Sequence, residues 1–237
     1  MKRMTMMQHF AELRRRILWT AVVFVGGFIM GWVGAPQLLE FLTRPLFMVW
    51  DGGELLYTGL TDGLMIQFSL ATWVGLLVTA PMALGQIWAY VAPGLHRNEQ
   101  RVILPILLLS PILFVVGGAF AFYILFPFAF RFFIDLNLGT SVPTVLMPAV
   151  RDYLAFSIGM LKVFGVAFQL PLVMVLLNRI GILDRRVVRR MRRYAIVIIV
   201  VVAAVLTPPD IVSQILLAIP MWALFEASLL FMRNYDD

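Results

Sequence analysis

The chain contains no cysteine, which excludes disulfides, thiolate nucleophiles and cysteine-ligated metal or iron–sulfur sites. It has only two lysines, Lys2 and Lys162, and no G-x-x-x-x-G-K-[ST] string, so a lysine-capped phosphate cradle is absent. Its two histidines, His9 and His96, stand beside no candidate serine, and no G-x-S-x-G occurs, so nucleophilic hydrolysis lacks its parts. Apart from the adjacent Asp236 and Asp237, acidic residues are dispersed singly rather than at metal-ligand spacing. These absences predict a protein that is not an enzyme and holds neither cofactor nor metal. Charge is also scarce: 14% of 237 residues are charged, against about 25% in soluble domains.

What fills the chain is apolar. Hydrophobic residues make up 62% and mean hydropathy is +0.93, which excludes a water-soluble monomer. The charges gather between apolar runs, so the runs can enter lipid. The pattern predicts an all-α polytopic membrane protein in one integral domain with six spans, over about 17–39, 63–92, 102–130, 153–178, 194–208 and 211–232. The first is too long for a cleaved leader and reads as a retained helix. Two prolines in Thr207-Pro208-Pro209-Asp210 separate spans five and six. The fifth run, about 24 Å as helix, is shorter than an average bilayer core, so this last hairpin is expected to be short and to thin the bilayer or snorkel Arg192 and Arg193 to water.

Basic residues near the helix ends set orientation. Fifteen lysines and arginines fall on one side of the six spans and three, Arg44, Arg131 and Arg151, on the other. Both termini are therefore expected in the cytoplasm. The net charge of +6 then reports topology and not a nucleic-acid footprint. Glycines and prolines in the loop after span one and in the loop after span three predict irregular backbone with short interfacial helices.

Two carboxylates stand among the cytoplasmic arginines at the lipid boundary. Glu12 lies in His9-Phe10-Ala11-Glu12-Leu13-Arg14-Arg15-Arg16, and Glu99 follows the helix stop Pro93-Gly94-Leu95. One reading is local: Glu12 pairs with Arg16 at i,i+4, and Glu99 favours the N-terminal end of the next helix. The other is that each takes one guanidinium of a bound partner, since arginine pairs bidentately with carboxylate and does so more strongly beside low-dielectric lipid.

Several segments, in order, resemble the TatC family, the largest subunit of the twin-arginine protein translocase. They are the Glu12 segment, Arg44-Pro45-Leu46, Trp88-Ala89-Tyr90-Val91-Ala92-Pro93-Gly94-Leu95 with Glu99, Gly118-Ala119-Phe120-Ala121-Phe122-Tyr123 running to Pro127, Phe164-Gly165-Val166-Ala167-Phe168-Gln169-Leu170-Pro171, and Leu206-Thr207-Pro208-Pro209-Asp210-Ile211-Val212-Ser213-Gln214. The resemblance implies a cytoplasmic-membrane receptor for folded precursors whose signal peptides carry paired arginines, driven by the protonmotive force. It implies signal-peptide contacts at Glu12, Arg14, Tyr90, Leu95 and Glu99. It also implies an oligomeric complex with single-span TatA-like and TatB-like subunits, docked near Thr207 and Gln214.

Two intramembrane polar positions remain. Gln169 stands where many family members carry a glutamate, so a hydrogen-bonding role survives there and a titrating one does not. Lys162 is the only cation inside an apolar run; it either serves a function or snorkels to the interface. Glu226, in the last span, is the only carboxylate inside an apolar run and lies near enough to the cytoplasmic end to be hydrated, which fits a structural role. A small secondary transporter or channel subunit is the alternative, although neither paired repeats nor a ring of filter charges is visible. A scaffold whose carboxylates only steady helix ends is a third reading.

Overall fold

The computed structural model describes residues 6–91, 97–138, 146–206 and 211–233. Ten α-helices and one π-helical turn fill these residues, with no strand among them. Contacts group the chain into two units, Met1–Phe41 with Leu60–Pro111, and Leu42–Gly59 with Ile112–Asp237. Among the described residues, five stretches are long and apolar enough to cross a membrane: Arg14–Val33, Asp62–Ala83, Leu109–Leu136, Val150–Arg179 and Gln214–Phe231.

In the first unit, α1 (Met6–Val33) runs antiparallel to α3 (Asp62–Val91). Arg16 meets Gln86 at one end, and Gln67 donates to the Trp32 carbonyl at 3.0 Å at the other. The seam between them is built for close approach. A Cβ added at Gly31 would lie 2.7 Å from the Val74 Cβ and 2.9 Å from the Ala71 Cα, and one at Gly27 would lie 3.0 Å from the Gly75 Cα. Small residues let helices in lipid gain dispersion contact where no hydrophobic drive exists.

The first span ends sooner than expected. The apolar run continues to Leu39, but α1 stops at Val33 and, after Gly34, a second helix α2 (Ala35–Phe47) starts with Pro36 in its first turn, where a missing N–H costs nothing. Ala35, Leu42 and Leu46 are buried while Glu40, Phe41 and Arg44 are exposed, so α2 is the short amphipathic helix expected in this loop.

In the second unit, the loop after α2 meets the start of α6 (Val150–Ala167): Leu56 and Ala149 form an isolated parallel bridge, with Leu56 N–H donating to Pro148 and Val150 N–H to Leu56, each at 3.0 Å. The Tyr153 hydroxyl donates to the Leu42 carbonyl at 2.6 Å. Helix α4 (Arg97–Phe120) continues through a π turn (Ala121–Leu125) into α5 (Phe126–Leu138). Pro127 explains the wide turn, because it has no N–H for the Tyr123 carbonyl and its ring would crowd that carbonyl in a regular helix. A ladder of rings, Phe122, Phe126, Phe130 and Tyr153, with successive centroids 5.2–6.0 Å apart, ties this helix to α6.

Pro171 also interrupts the fourth span, here with a tight turn rather than a wide one. The chain tightens at Phe168 and Gln169, with Gln169 N–H reaching the Val166 carbonyl at 2.9 Å, before α7 (Leu170–Arg179) resumes. Gly181, at φ +79°, closes α7 in the left-handed conformation and donates to the Asn178 carbonyl. Asp184 caps the short α8 (Arg185–Arg190) by accepting from Arg186 N–H at 2.8 Å. Helix α9 (Arg192–Leu206) has 15 residues, about 22 Å, which agrees with a short fifth segment.

The sixth is not short. Helix α10 (Ile211–Phe231) has 21 residues, about 31 Å, and carries Glu226 within it. Glu226 accepts from the Arg192 guanidinium at 2.6 Å across to α9. Arg192 therefore pairs with protein rather than snorkelling to water. The turn 207–210 lies outside the described residues.

Candidate functional site

The local reading of Glu12 is present in the structure. Arg16, one turn along α1, donates from Nε at 3.1 Å and from Nη2 at 2.5 Å, both to Glu12 Oε1. Its remaining nitrogen, Nη1, donates at 2.6 Å to Gln86 Oε1 and at 3.3 Å to the Gln86 carbonyl on α3. The guanidinium is thus fixed from two helices, with side chains 21% exposed for Arg16 and 29% for Glu12. Both bonds use one carboxylate oxygen. Among the described residues, Oε2 has no partner.

The α1–α3 register carries the site further. Arg16 lies opposite Gln86, and Gly27 opposite Gly75, so equal steps along α1 and back along α3 keep level. One more turn brings the backbone of Tyr90 level with Glu12. Below Arg16 and Gln86 a cleft of about 560 Å³ opens between the helices, walled by Ile17, Ala21, Phe24, Leu76, Ala80 and Ala83. The Thr79 hydroxyl is buried on this wall with no partner among the described residues. The arrangement joins an open carboxylate oxygen, a pinned cation and an adjoining apolar cleft.

The family model of the Sec-independent protein translocase protein, TatC, matches residues 8–220. The chain belongs to the TatC family. It is 36% identical over 230 residues to TatC of Desulforapulum autotrophicum, covering 96% of this chain and 84% of that protein. It is 34% identical to TatC of Escherichia coli K12, covering 96% and 87%. A crystal structure of a twin-arginine translocase receptor, TatC, superposes with TM-score 0.83 at 31% identity, covering 94% of this chain and 97% of that one. With five apolar helices, this TatC chain is a multi-pass membrane protein of a transport family.

Of the other expected contacts, Arg14 is exposed on α1, and the arginine that meets Glu12 is Arg16. The backbones of Tyr90, in the last turn of α3, and Glu99, in the first turn of α4, are described but their side chains are not; Leu95 and Thr207 lie outside the described residues. Gln214, at the start of α10, donates from Nε2 to the Val200 carbonyl of α9 at 3.0 Å, so its amide already links the two helices. Gln169 is buried at the joint between α6 and α7. Lys162 is exposed on α6.

Two residues of this TatC chain escaped the sequence reading. Gln86 carried the weak signal of an amide near the end of an apolar run. Asn178, 1% exposed, gave none beyond ending such a run. Its Nδ2 donates to the Leu183 carbonyl at 2.9 Å and the Arg233 carbonyl at 3.2 Å, and its Oδ1 accepts from Arg233 N–H at 2.7 Å. It fastens the end of α7 to the end of α10.

Proposed function

We propose that the chain is the receptor subunit of a twin-arginine protein translocase, binding signal peptides of folded precursors at the cytoplasmic face of the cell membrane. In this reading both termini are cytoplasmic, which the basic-residue bias supports. The observation that carries the proposal is Glu12 with Oε1 held by Arg16 and Oε2 without a partner among the described residues. An incoming guanidinium docks on Oε2, and a second is met by Glu99, in the first turn of α4. Arg14, Tyr90 and Leu95 support that region. Because Oε1 is already engaged, the first contact uses a single carboxylate oxygen, and a bidentate fork at Glu12 requires Arg16 to swing away. Apolar peptide residues find the cleft beside Arg16.

Export is driven by the protonmotive force, and TatA-like and TatB-like single-span subunits dock near Thr207 and Gln214 in an oligomeric complex. The test is capture of a labelled signal peptide by the chain in nanodiscs. An Arg-Arg peptide is expected to bind and a Lys-Lys peptide to bind poorly, since ammonium lacks the planar fork; Glu99→Ala is expected to abolish most Arg-Arg capture. Equal capture of both peptides would remove the receptor reading.

A further inference from the structure

Between Asp152 and Arg179 the fourth span carries a single charge, Lys162. It lies ten residues beyond Asp152, about 15 Å along the helix, and seventeen before Arg179, about 25 Å. Its four-carbon stem covers less than half of the shorter distance, so the ammonium stays well short of either charged end of the span even when stretched toward it. The side chain is exposed on α6 and has no hydrogen bond or ion pair among the described residues.

Its surroundings suit a helix. Ala155 is exposed seven residues before it; a Cβ added at Gly159, three residues before it, meets nothing within 4 Å; Val166, one turn beyond it, is 64% exposed. Positions 155, 159, 162 and 166 form one stripe at helical spacing. Alanine and glycine four apart let a second backbone come close, and a cation one turn further demands an anion at the same depth. A phospholipid headgroup does not supply it, because its phosphate stays at the interface. A second copy of this chain does not either: the carboxylate inside its last span, Glu226, is taken by Arg192.

We infer that the Ala155, Gly159, Lys162 and Val166 face of α6 docks the transmembrane helix of a partner subunit that carries an aspartate or glutamate at the depth of Lys162. The inference goes beyond the receptor reading and does not rest on Glu12 or Glu99; it needs only that α6 crosses the membrane.

The experiment places a photocrosslinking phenylalanine analogue at Val166 in the full chain, in native membranes co-expressing the single-span subunits. The adducted segment is sequenced, and its membrane carboxylate is then exchanged. The adduct to a single-span helix bearing a carboxylate is expected to fall at least tenfold with Lys162→Met and with Lys162→Glu, and to persist with Lys162→Arg. Lys162→Glu is expected to regain it when the partner's carboxylate is exchanged for lysine. Unchanged yield with Lys162→Met, adducts to lipid alone, or failure of the charge exchange to restore the adduct would overturn the inference. Each variant is also assayed for Arg-Arg peptide capture, which is expected to remain at the parent level, so a failed receptor reading and a failed docking surface give different results.

Discussion

Exchanging Glu12 for glutamine separates recognition from folding. In the structure the carboxylate serves Arg16 through Oε1 only, and Arg16 keeps its own anchor on Gln86 at 2.6 Å. The amide oxygen of the variant still accepts from Arg16, so the fold loses the charge of a partly screened i,i+4 pair, about 0.5 kcal/mol. An incoming arginine loses far more. A hydrogen bond to a charged group contributes about 1.5–3 kcal/mol, which predicts a Kd for an Arg-Arg signal peptide raised roughly 10- to 150-fold by Glu12→Gln. Fluorescence anisotropy in nanodiscs reads the Kd, and thermal unfolding of the same sample reads the fold, where a shift of about a degree or two is expected. The complementary variant Arg16→Met releases Oε1, so capture should be at least as tight as in the parent although stability falls. A Kd within twofold of the parent for Glu12→Gln, or an Arg16→Met loss as large as that of Glu12→Gln, would refute the assignment of Glu12 as the acceptor.

Other perturbations test the packing. Gly31→Leu drives a side chain into Val74 and Ala71 and should cost about 1–3 kcal/mol in detergent unfolding, whereas Gly26→Leu, with open space at its Cβ, should change little. Asn178→Ala strands the backbone groups of Leu183 and Arg233 and should destabilise by about 2–3 kcal/mol, read as a lower Tm and faster proteolysis of the C-terminal end. Arg192→Met leaves Glu226 without its partner and should cost about 1–2 kcal/mol after allowance for the partial exposure of Arg192, while Arg192→Met with Glu226→Leu should recover most of that loss. If the double variant is no more stable than the single one, the pair is not the source of the effect.

The features legible in the sequence are those that act within a turn or two of themselves. Spacing by four announced the Glu12 and Arg16 pair, two prolines announced a short helix before residue 207, and turn-forming residues announced α2. The misses have a common cause. Apolar composition runs smoothly through Gly34 to Leu39, so nothing in hydropathy marks where α1 stops and α2 begins. Glu226 gave no sign of its partner because Arg192 lies 34 residues away. Gln86 and Asn178 act on partners 70 and 55 residues distant, and periodicity carries no information about which helix lies opposite. The TatC resemblance adds Arg14 and Tyr90 as candidate contacts, which spacing alone does not single out.

The glycine seam has a bearing on capture. Where α1 and α3 touch through Gly27, Gly31 and Gly75, neither helix can roll about its long axis without driving backbone into backbone. The azimuth of Glu12 is therefore locked relative to α3 before any ligand arrives. In the proposed receptor role, a guanidinium landing there would immobilise its own side chain and little else, so the entropic penalty of association would fall on the flexible peptide rather than on the protein.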